Sequence, residues 1–503
     1  MPFIITLMNR VRAMSDKRRY NTALIIVLLL AAMSFMTLYH WPQNLFWDEN
    51  YYLTAVQKYT EGVAFFESHP PLGKLIMALG EAIFAPNTEL DCHNFTETEK
   101  IDSVPKGYSF VGVRFFPVLF AVLGAALFFM IMYKLLGRAF YAFIFSSLYI
   151  FENAWILHSR GAMLDSIQFF FILGALLYFI CLIEKKRPVR IFEYFILACI
   201  CSLALMVKAN GAFIFIFFPI LFIYEYRREI RQHWLRQNRK FWLIFTKKTM
   251  AAVCGLIGVG FIVFMTHFSL GNHLPGTLKQ KFSPEYRAIL NKGGTGNPFN
   301  FPIMLRDYFS YMSKYHETVP KYKKYDEKEN GSRAITWPLG EKSIRYRYSK
   351  KDGKTSYLYL QGNPAVWISG LVGLGFAFTL IMGRVFFKLP ITNTRLFWYI
   401  VFFFGLYAAY MASMMRIDRV MYLYHYFIPL FFSLFIAALV FAYFFQKKME
   451  EGNRVLITAC WIYFAEIVVC YAFFMPLTYF FPLSTREFLQ RTWLNIWELK
   501  YVQ

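Results

Sequence analysis

Long apolar runs, broken by short clusters of charge, set the pattern of this chain. "ALIIVLLLAAMSFMTLY" (23–39) and "ISGLVGLGFAFTLIMG" (368–383) carry no Asp, Glu, Lys or Arg. A bilayer's hydrocarbon layer is matched by about 20 apolar residues of helix. On that length scale the pattern predicts eleven membrane spans, near 22–40, 110–134, 139–157, 164–183, 191–207, 211–225, 250–267, 365–383, 396–414, 426–445 and 455–474. Two long polar segments interrupt them, 41–109 and 268–364. Within these, "QKYTEGVAFFESH", "LGKLIMALGEAIFA" and "FPIMLRDYFSYMSKYHE" space apolar residues at helical intervals, which predicts short helices lying along the membrane surface.

The fold class expected is therefore an all-α polytopic membrane bundle of about eleven transmembrane helices, with amphipathic helices in its outer loops. Composition agrees. The chain is 57% hydrophobic and 17% charged, against roughly 25% charged for a soluble protein. The net charge of +23 does not point to nucleic acid, because the lysines and arginines sit in short loops between spans: "SDKRRY", "EKKRPVR", "YRREIRQHWLRQNRK", "GRVFFKLP" and "QKKMEEGNR". With the basic N-terminus inside, alternation puts all of these on the cytoplasmic side, as the positive-inside rule requires. The seven cysteines form neither a disulfide framework nor a zinc spacing. The first apolar run lacks a small-residue cleavage site and is expected to stay as a signal anchor.

The expected organisation is a cytoplasmic N-terminus (1–21), an N-terminal catalytic membrane region (22–267), an extracytoplasmic loop (268–364), a four-span C-terminal membrane region (365–475) and an extracytoplasmic tail (476–503). Ionisable residues gather at the outer span ends. Asp48 and Glu49 follow the first span and Arg114 opens the second. "LHSRGAMLDS" carries His158, Arg160 and Asp165, "VKANG" carries Lys208 and Asn210, and "MMRIDRVMYLYHY" carries Arg416, Asp418, Arg419 and His425. A charge at the bilayer centre costs about 2.5–3.5 kcal/mol on insertion scales, so this one-sided collection suggests a hydrated cavity opening outward.

Each residue also has a plainer explanation. Asp48 can cap a helix, Arg114 can snorkel to headgroups, Arg160 and Asp165 can neutralise each other, "HPPLGK" can simply start a helix, and His425 can be a packed side chain. Together, cations and carboxylates on one face suit a lipid-linked phosphosugar. Arginines stabilise the departing phosphate, one carboxylate removes the acceptor hydroxyl's proton, and attack opposite the leaving group inverts the anomeric centre. No nucleotide-binding glycine motif is present.

"FWDENYYLTAVQKYTEGVAFFESHPPLGKL" resembles the first outer loop of the protein O-mannosyltransferases, membrane enzymes of the GT-C class. "GVRFFPVLF" is similar to their second span, and "FENAWILHSRGAMLDSIQFFF" to their Ser-Arg…Leu-Asp segment. "YMSKYHE", "TWPLG", "QGNPAVWISG" and "RVMYLYHYFIPLFF" resemble their C-terminal region. The resemblance implies transfer of mannose from polyprenyl-phosphate-mannose to serine or threonine of secreted or membrane proteins. It implies Asp48 as the base, Glu49 as a second catalytic carboxylate seating substrate, and Arg114, Arg160 and Arg419 on the donor phosphate. His69, Lys74, Asp165, Lys208 and His425 would line the site. No cofactor is implied, and a divalent metal is left open. Membrane lipids and the export machinery are further expected partners; nucleic acid is not.

One departure is clear. Segment 268–364 is too short for the β-trefoil MIR domain of fungal and animal members, so the resemblance implies a bacterial-type enzyme in the inner membrane with its site facing outward. The sequons at Asn94 and Asn330 would there usually stay bare. Two other functions remain: a GT-C transferase modifying a glycolipid such as lipid A, and, more distantly, a transporter or flippase, which the lack of a repeat disfavours.

Overall fold

The structure is a computed structural model that describes residues 15–227, 239–322 and 330–502. Most of the basic loop "YRREIRQHWLRQNRK" and most of the basic N-terminus lie outside the described residues. The chain divides into two compact units interleaved in sequence. The first comprises residues 1–38, 125–158 and 320–503, the second 39–124 and 159–319.

In chain order the helices are α1 (Asp16–Met36), α2 (Glu49–Glu61), α3 (Leu72–Phe84), α4 (Val111–Leu136), α5 (Ala139–Ile150), α6 (Asn153–Ser159), α7 (Asp165–Ile183), α8 (Ile191–Val207), α9 (Phe217–Glu225) and α10 (Arg239–Leu270). They continue with α11 (Pro284–Asn291), α12 (Phe301–Thr318), α13 (Pro364–Phe387), α14 (Thr394–Met415), α15 (Phe427–Glu450), α16 (Arg454–Tyr479) and α17 (Thr485–Leu489). Among the described residues eight helices are long and apolar enough to cross a membrane, or nine if the bent pair α5–α6 is one span. The expected fifth and sixth spans correspond to shorter apolar helices, Ile191–Val207 and Ala209–Glu225. The expected figure of eleven counts both as crossing.

In the first unit, the 63° bend between α5 and α6 has an identifiable chemical cause. Glu152 is fully buried in the break. Its carboxylate accepts the backbone N–H of Trp155 (2.5 Å), the N–H of Asn363 (2.9 Å) and the indole N–H of Trp367 (2.9 Å). Asn363 in turn donates to the carbonyls of Phe151 (2.8 Å) and Ile467 (3.0 Å) and caps α13 through Ala365 N–H (3.1 Å). The backbone groups freed by the break are thereby satisfied, as a helix interrupted in an apolar setting demands.

The all-helical expectation missed a small sheet in this unit. Strands β1 (Ile344–Lys351), β2 (Lys354–Leu360) and β3 (Pro482–Leu483) pair antiparallel in the order β1-β2-β3. The hairpin turns at Asp352-Gly353, both at positive φ (52° and 71°), as a two-residue type I′ turn requires. Tyr357, Tyr359, Phe474, Leu483, Phe488 and Trp497 form its core.

In the second unit, α2 stops earlier than its periodicity suggests. Gly62 N–H closes the helix on the carbonyls of Lys58 and Tyr59. The chain then runs extended, with Ala64 N–H donating to His273 O (2.8 Å) and His273 N–H to Gly62 O (2.9 Å). This ties the first outer loop to the segment after α10, over a core of Phe66, Phe264, Phe268, Tyr286, Met304 and Tyr308.

Candidate active site

Eight of the ten residues singled out from the sequence belong to the second unit: Asp48, Glu49, His69, Lys74, Arg114, Arg160, Asp165 and Lys208. The adjacent carboxylates have opposite environments. Glu49 opens α2 and is fully buried. Arg114, near the start of α4, is equally buried, and the two form a two-pronged pair: Nε to Oε1 at 2.7 Å and Nη2 to Oε2 at 2.8 Å. The remaining guanidinium hydrogens go to the carbonyls of His40 (3.1 Å), Pro42 (2.9 Å) and Asn44 (2.9 Å). The guanidinium also lies over the rings of Phe46 (4.7 Å) and Phe110 (4.0 Å). Glu49 additionally accepts the backbone N–H groups of Phe46 (3.1 Å) and Ala162 (2.8 Å).

All five donors of Arg114 are thus spent on protein acceptors. Neither expectation for this arginine holds: it does not snorkel, and it has no hydrogen left for a lipid phosphate. Glu49 likewise spends its carboxylate on protein donors. The pair positions three segments, residues 40–49, 110–114 and 160–162, and so fixes its neighbour.

That neighbour is Asp48. It stands at the N-cap of α2, but its carboxylate makes no capping hydrogen bond, so capping is not what occupies it. The side chain is partly exposed. Its charge reaches the phenols of Tyr51 on α2 and Tyr315 on α12, both raised above the ordinary tyrosine range by burial first and by nearby carboxylates and phenols after that.

The "HPPLGK" turn folds onto "LDS" and "VKANG". α3 starts at Leu72, and a Cβ on Gly73 would sit 2.5 Å from Leu164 Cδ2 and 3.1 Å from Val207 Cγ1, so any larger residue there would have to displace those side chains. Lys74 is fully buried and pairs with Glu67 at 3.1 Å; burial lowers its pKa. Asp165 pairs with Lys208 at 3.0 Å. The backbone of Lys208 is held by Gln168, whose amide donates to its carbonyl (2.7 Å). His69 feels the charge of both lysines, and Lys74 Nζ lies 3.5 Å from its carbonyl oxygen. Its Nδ1 is enclosed and has no hydrogen-bond partner among the described residues. Burial, then Lys208 and Lys74, hold its pKa well below the usual imidazole value. Arg160 is buried and its Nη2 lies 3.4 Å from Trp41 O.

Arg419 and His425 belong to the first unit. His425 is a packed residue, stacked on Tyr424 (4.5 Å) and Trp337 (6.0 Å), with Nδ1 2.9 Å from Tyr422 O. His158 is hydrogen-bonded to Tyr346 (2.7 Å), and Asp418 pairs with Lys321 (2.7 Å). Sequence reading missed Glu67, which sits seven residues before Lys74 in "FESHPPLGK" and whose charge acts on Lys58, Lys74, Tyr51 and Tyr315. Among the described residues no three His, Cys, Asp or Glu side chains gather at metal-binding spacing.

Comparison with known proteins places this geometry in context. Residues 25–274 match the family model of dolichyl-phosphate-mannose-protein mannosyltransferase, and residues 306–497 match that of the C-terminal four-span region of protein-O-mannosyltransferase. Protein O-mannosyl-transferase 2 of Danio rerio is 24% identical over 334 residues, covering 62% of this chain and 38% of its own length. Dolichyl-phosphate-mannose--protein mannosyltransferase 1 of Saccharomyces cerevisiae is 26% identical over 260 residues, 50% of this chain and 30% of its own. This chain therefore spans well under half of these relatives. A chain of the S. cerevisiae Pmt1-Pmt2 complex, solved with its sugar donor, superposes with a TM-score of 0.78 at 15% identity over 99% of this chain and 94% of that one, a likeness of fold. With both halves of the chain matched in order and a GT-C fold around the Asp48–Glu49 loop, the chain belongs to the protein O-mannosyltransferase family.

Proposed function

We propose that this protein transfers mannose from polyprenyl-phosphate-mannose to serine and threonine hydroxyls of exported proteins, with inversion. The observation that carries this reading is the split between the two acidic neighbours: Glu49 is locked by Arg114 while Asp48 keeps a partly exposed carboxylate. Asp48 takes the acceptor hydroxyl's proton as its oxygen attacks the mannose C1 and the C1–O bond to phosphate breaks. The electron pair leaves on the phosphate, where a cation stabilises it. With Arg114 committed elsewhere, Lys208 and Arg160 are the cations of this unit assigned to that task.

The lysine- and arginine-rich loops between spans support a cytoplasmic N-terminus and a site opening on the extracytoplasmic face of a plasma membrane. Acceptors emerging from the export machinery would meet it there. The reading needs no cofactor for the proton transfer.

The test is an incubation of the purified, reconstituted protein with labelled polyprenyl-phosphate-mannose and exported peptides, followed by separation of protein and lipid products. Label on peptide hydroxyls supports the proposal. Label on a glycolipid alone transfers the reading to a lipid acceptor, and sugar flux without product overturns both.

A further inference from the structure

In the first unit, α5, α13, α15 and α16 enclose an apolar groove of about 710 Å³, within the roughly 300–1,000 Å³ typical of ligand sites. Phe145, Val372, Phe376, Phe444, Phe445 and Ala459 line it. Its two hydroxyls satisfy each other, Ser369 and Tyr463 lying 2.5 Å apart, and Ser369 also donates to Ala365 O (2.6 Å). Both hydroxyls of the wall are therefore already engaged. Val372, Phe376 and Phe444 are each about half exposed, so the groove is open along its side.

The helix ends next to it are basic. Lys448 lies over the ring of Phe445, 5.8 Å from its centroid, joining a cation directly to the groove lining. Arg138, at the start of α5, reaches the carbonyl of Glu450 (3.4 Å), and Arg454 opens α16. Lys447, Glu450 and Glu451 share this rim. Lys447 is 4.0 Å from Glu451, and Glu450 accepts from Gln446 (2.8 Å). Among the described residues Arg138, Lys448 and Arg454 form no ion pair.

A lipid tail moving from the bilayer into an apolar groove exchanges one hydrocarbon setting for another, so the tail supplies little discrimination. The choice of lipid falls to the headgroup, and the cations beside Phe445 favour a negative one. We propose that this groove is a binding site for an acidic phospholipid, its acyl chain between α13, α15 and α16 and its phosphate beside Lys448 and Arg454.

The test is native mass spectrometry of the delipidated full chain titrated with phosphatidylglycerol or with phosphatidylcholine of the same acyl chains. One phosphatidylglycerol is expected to be retained about tenfold more strongly. Lys448→Gln with Arg454→Gln is expected to abolish that preference, and Ala459→Phe to reduce retention of both lipids. Photocrosslinking of wild-type protein to phosphatidylglycerol carrying a diazirine in its acyl chain is expected to label peptides within 369–376 or 437–463, which keeps the test open if a variant misfolds. Equal retention of the two lipids, preference unchanged in the charge variant, crosslinks elsewhere, or displacement by equimolar polyprenyl phosphate would each overturn the proposal, the last by giving the groove to the glycosyl donor's carrier.

Discussion

Arg114 grips Glu49 through two parallel hydrogen bonds of 2.7 and 2.8 Å while giving its other three hydrogens to the carbonyls of residues 40, 42 and 44. Removing one member of a buried pair leaves the other charge uncompensated, at about 3–5 kcal/mol. Glu49→Gln and Arg114→Met should each lower the thermal midpoint of the purified protein sharply. The double variant should lose less than the two single losses added together. Arg114→Lys should behave like Arg114→Met, because an ammonium cannot reproduce the fork. Additive losses would remove the pair from the account.

Asp48→Asn should be different in kind. It preserves size and leaves the locked pair intact, so the melting curve should move little. Turnover should fall by about two orders of magnitude or more if the carboxylate takes the acceptor's proton. Labelled-donor kinetics and a melting curve on the same preparation distinguish loss of chemistry from loss of fold.

The contact at Gly73 is steric and directional. Gly73→Ala should destabilise by about 1–3 kcal/mol through overpacking against Leu164 and Val207, read as a lower thermal midpoint. Leu164→Ala in the same chain should recover part of it. A neutral Gly73→Ala would mean that α3 shifts freely, contrary to the contacts at its N-terminus.

His69 gives a pH dependence of defined sign. Its folded pKa lies well below the ordinary value near 6.5, so below that pH the unfolded chain binds a proton that the folded one refuses. Stability from this residue is complete above about pH 6.5 and falls as the pH is lowered through it. The thermal midpoint should drop between pH 7 and 5, less steeply in His69→Gln. An identical slope in that variant would assign the acid sensitivity elsewhere.

Much of this arrangement was legible in the residues. Runs of apolar side chains gave span positions that the long helices follow, because the bilayer imposes one length on every crossing. The loop carrying Asp48 and "HPPLGK" was identifiable by its chemistry. Partnership was not. Nothing in "GVRFFPVLF" says that its arginine turns inward to Glu49, since a span-end arginine has equal local reason to face phosphate, headgroup or carboxylate, and only the folded path of residues 40–46 decides. The hairpin at 344–360 carries a turn signal in "KDGK" between alternating residues, but its period of two is short and weak beside the long helical runs that dominate the chain. Glu67 was overlooked for a similar reason. It is unremarkable until α3 folds Lys74 back against it.

The ties on Glu49 also order the chain in time. Its carboxylate is completed by groups from residues 46, 114 and 162, the second near the start of the next long helix, α4, and the last beyond both α4 and the bent pair α5–α6. A ribosome delivers these in sequence, so the loop that carries Asp48 must wait, hydrated and unfinished, until residue 162 has emerged. Asp48 is then set in place only once the chain has been made through residue 162, after α4 and the α5–α6 pair have followed it.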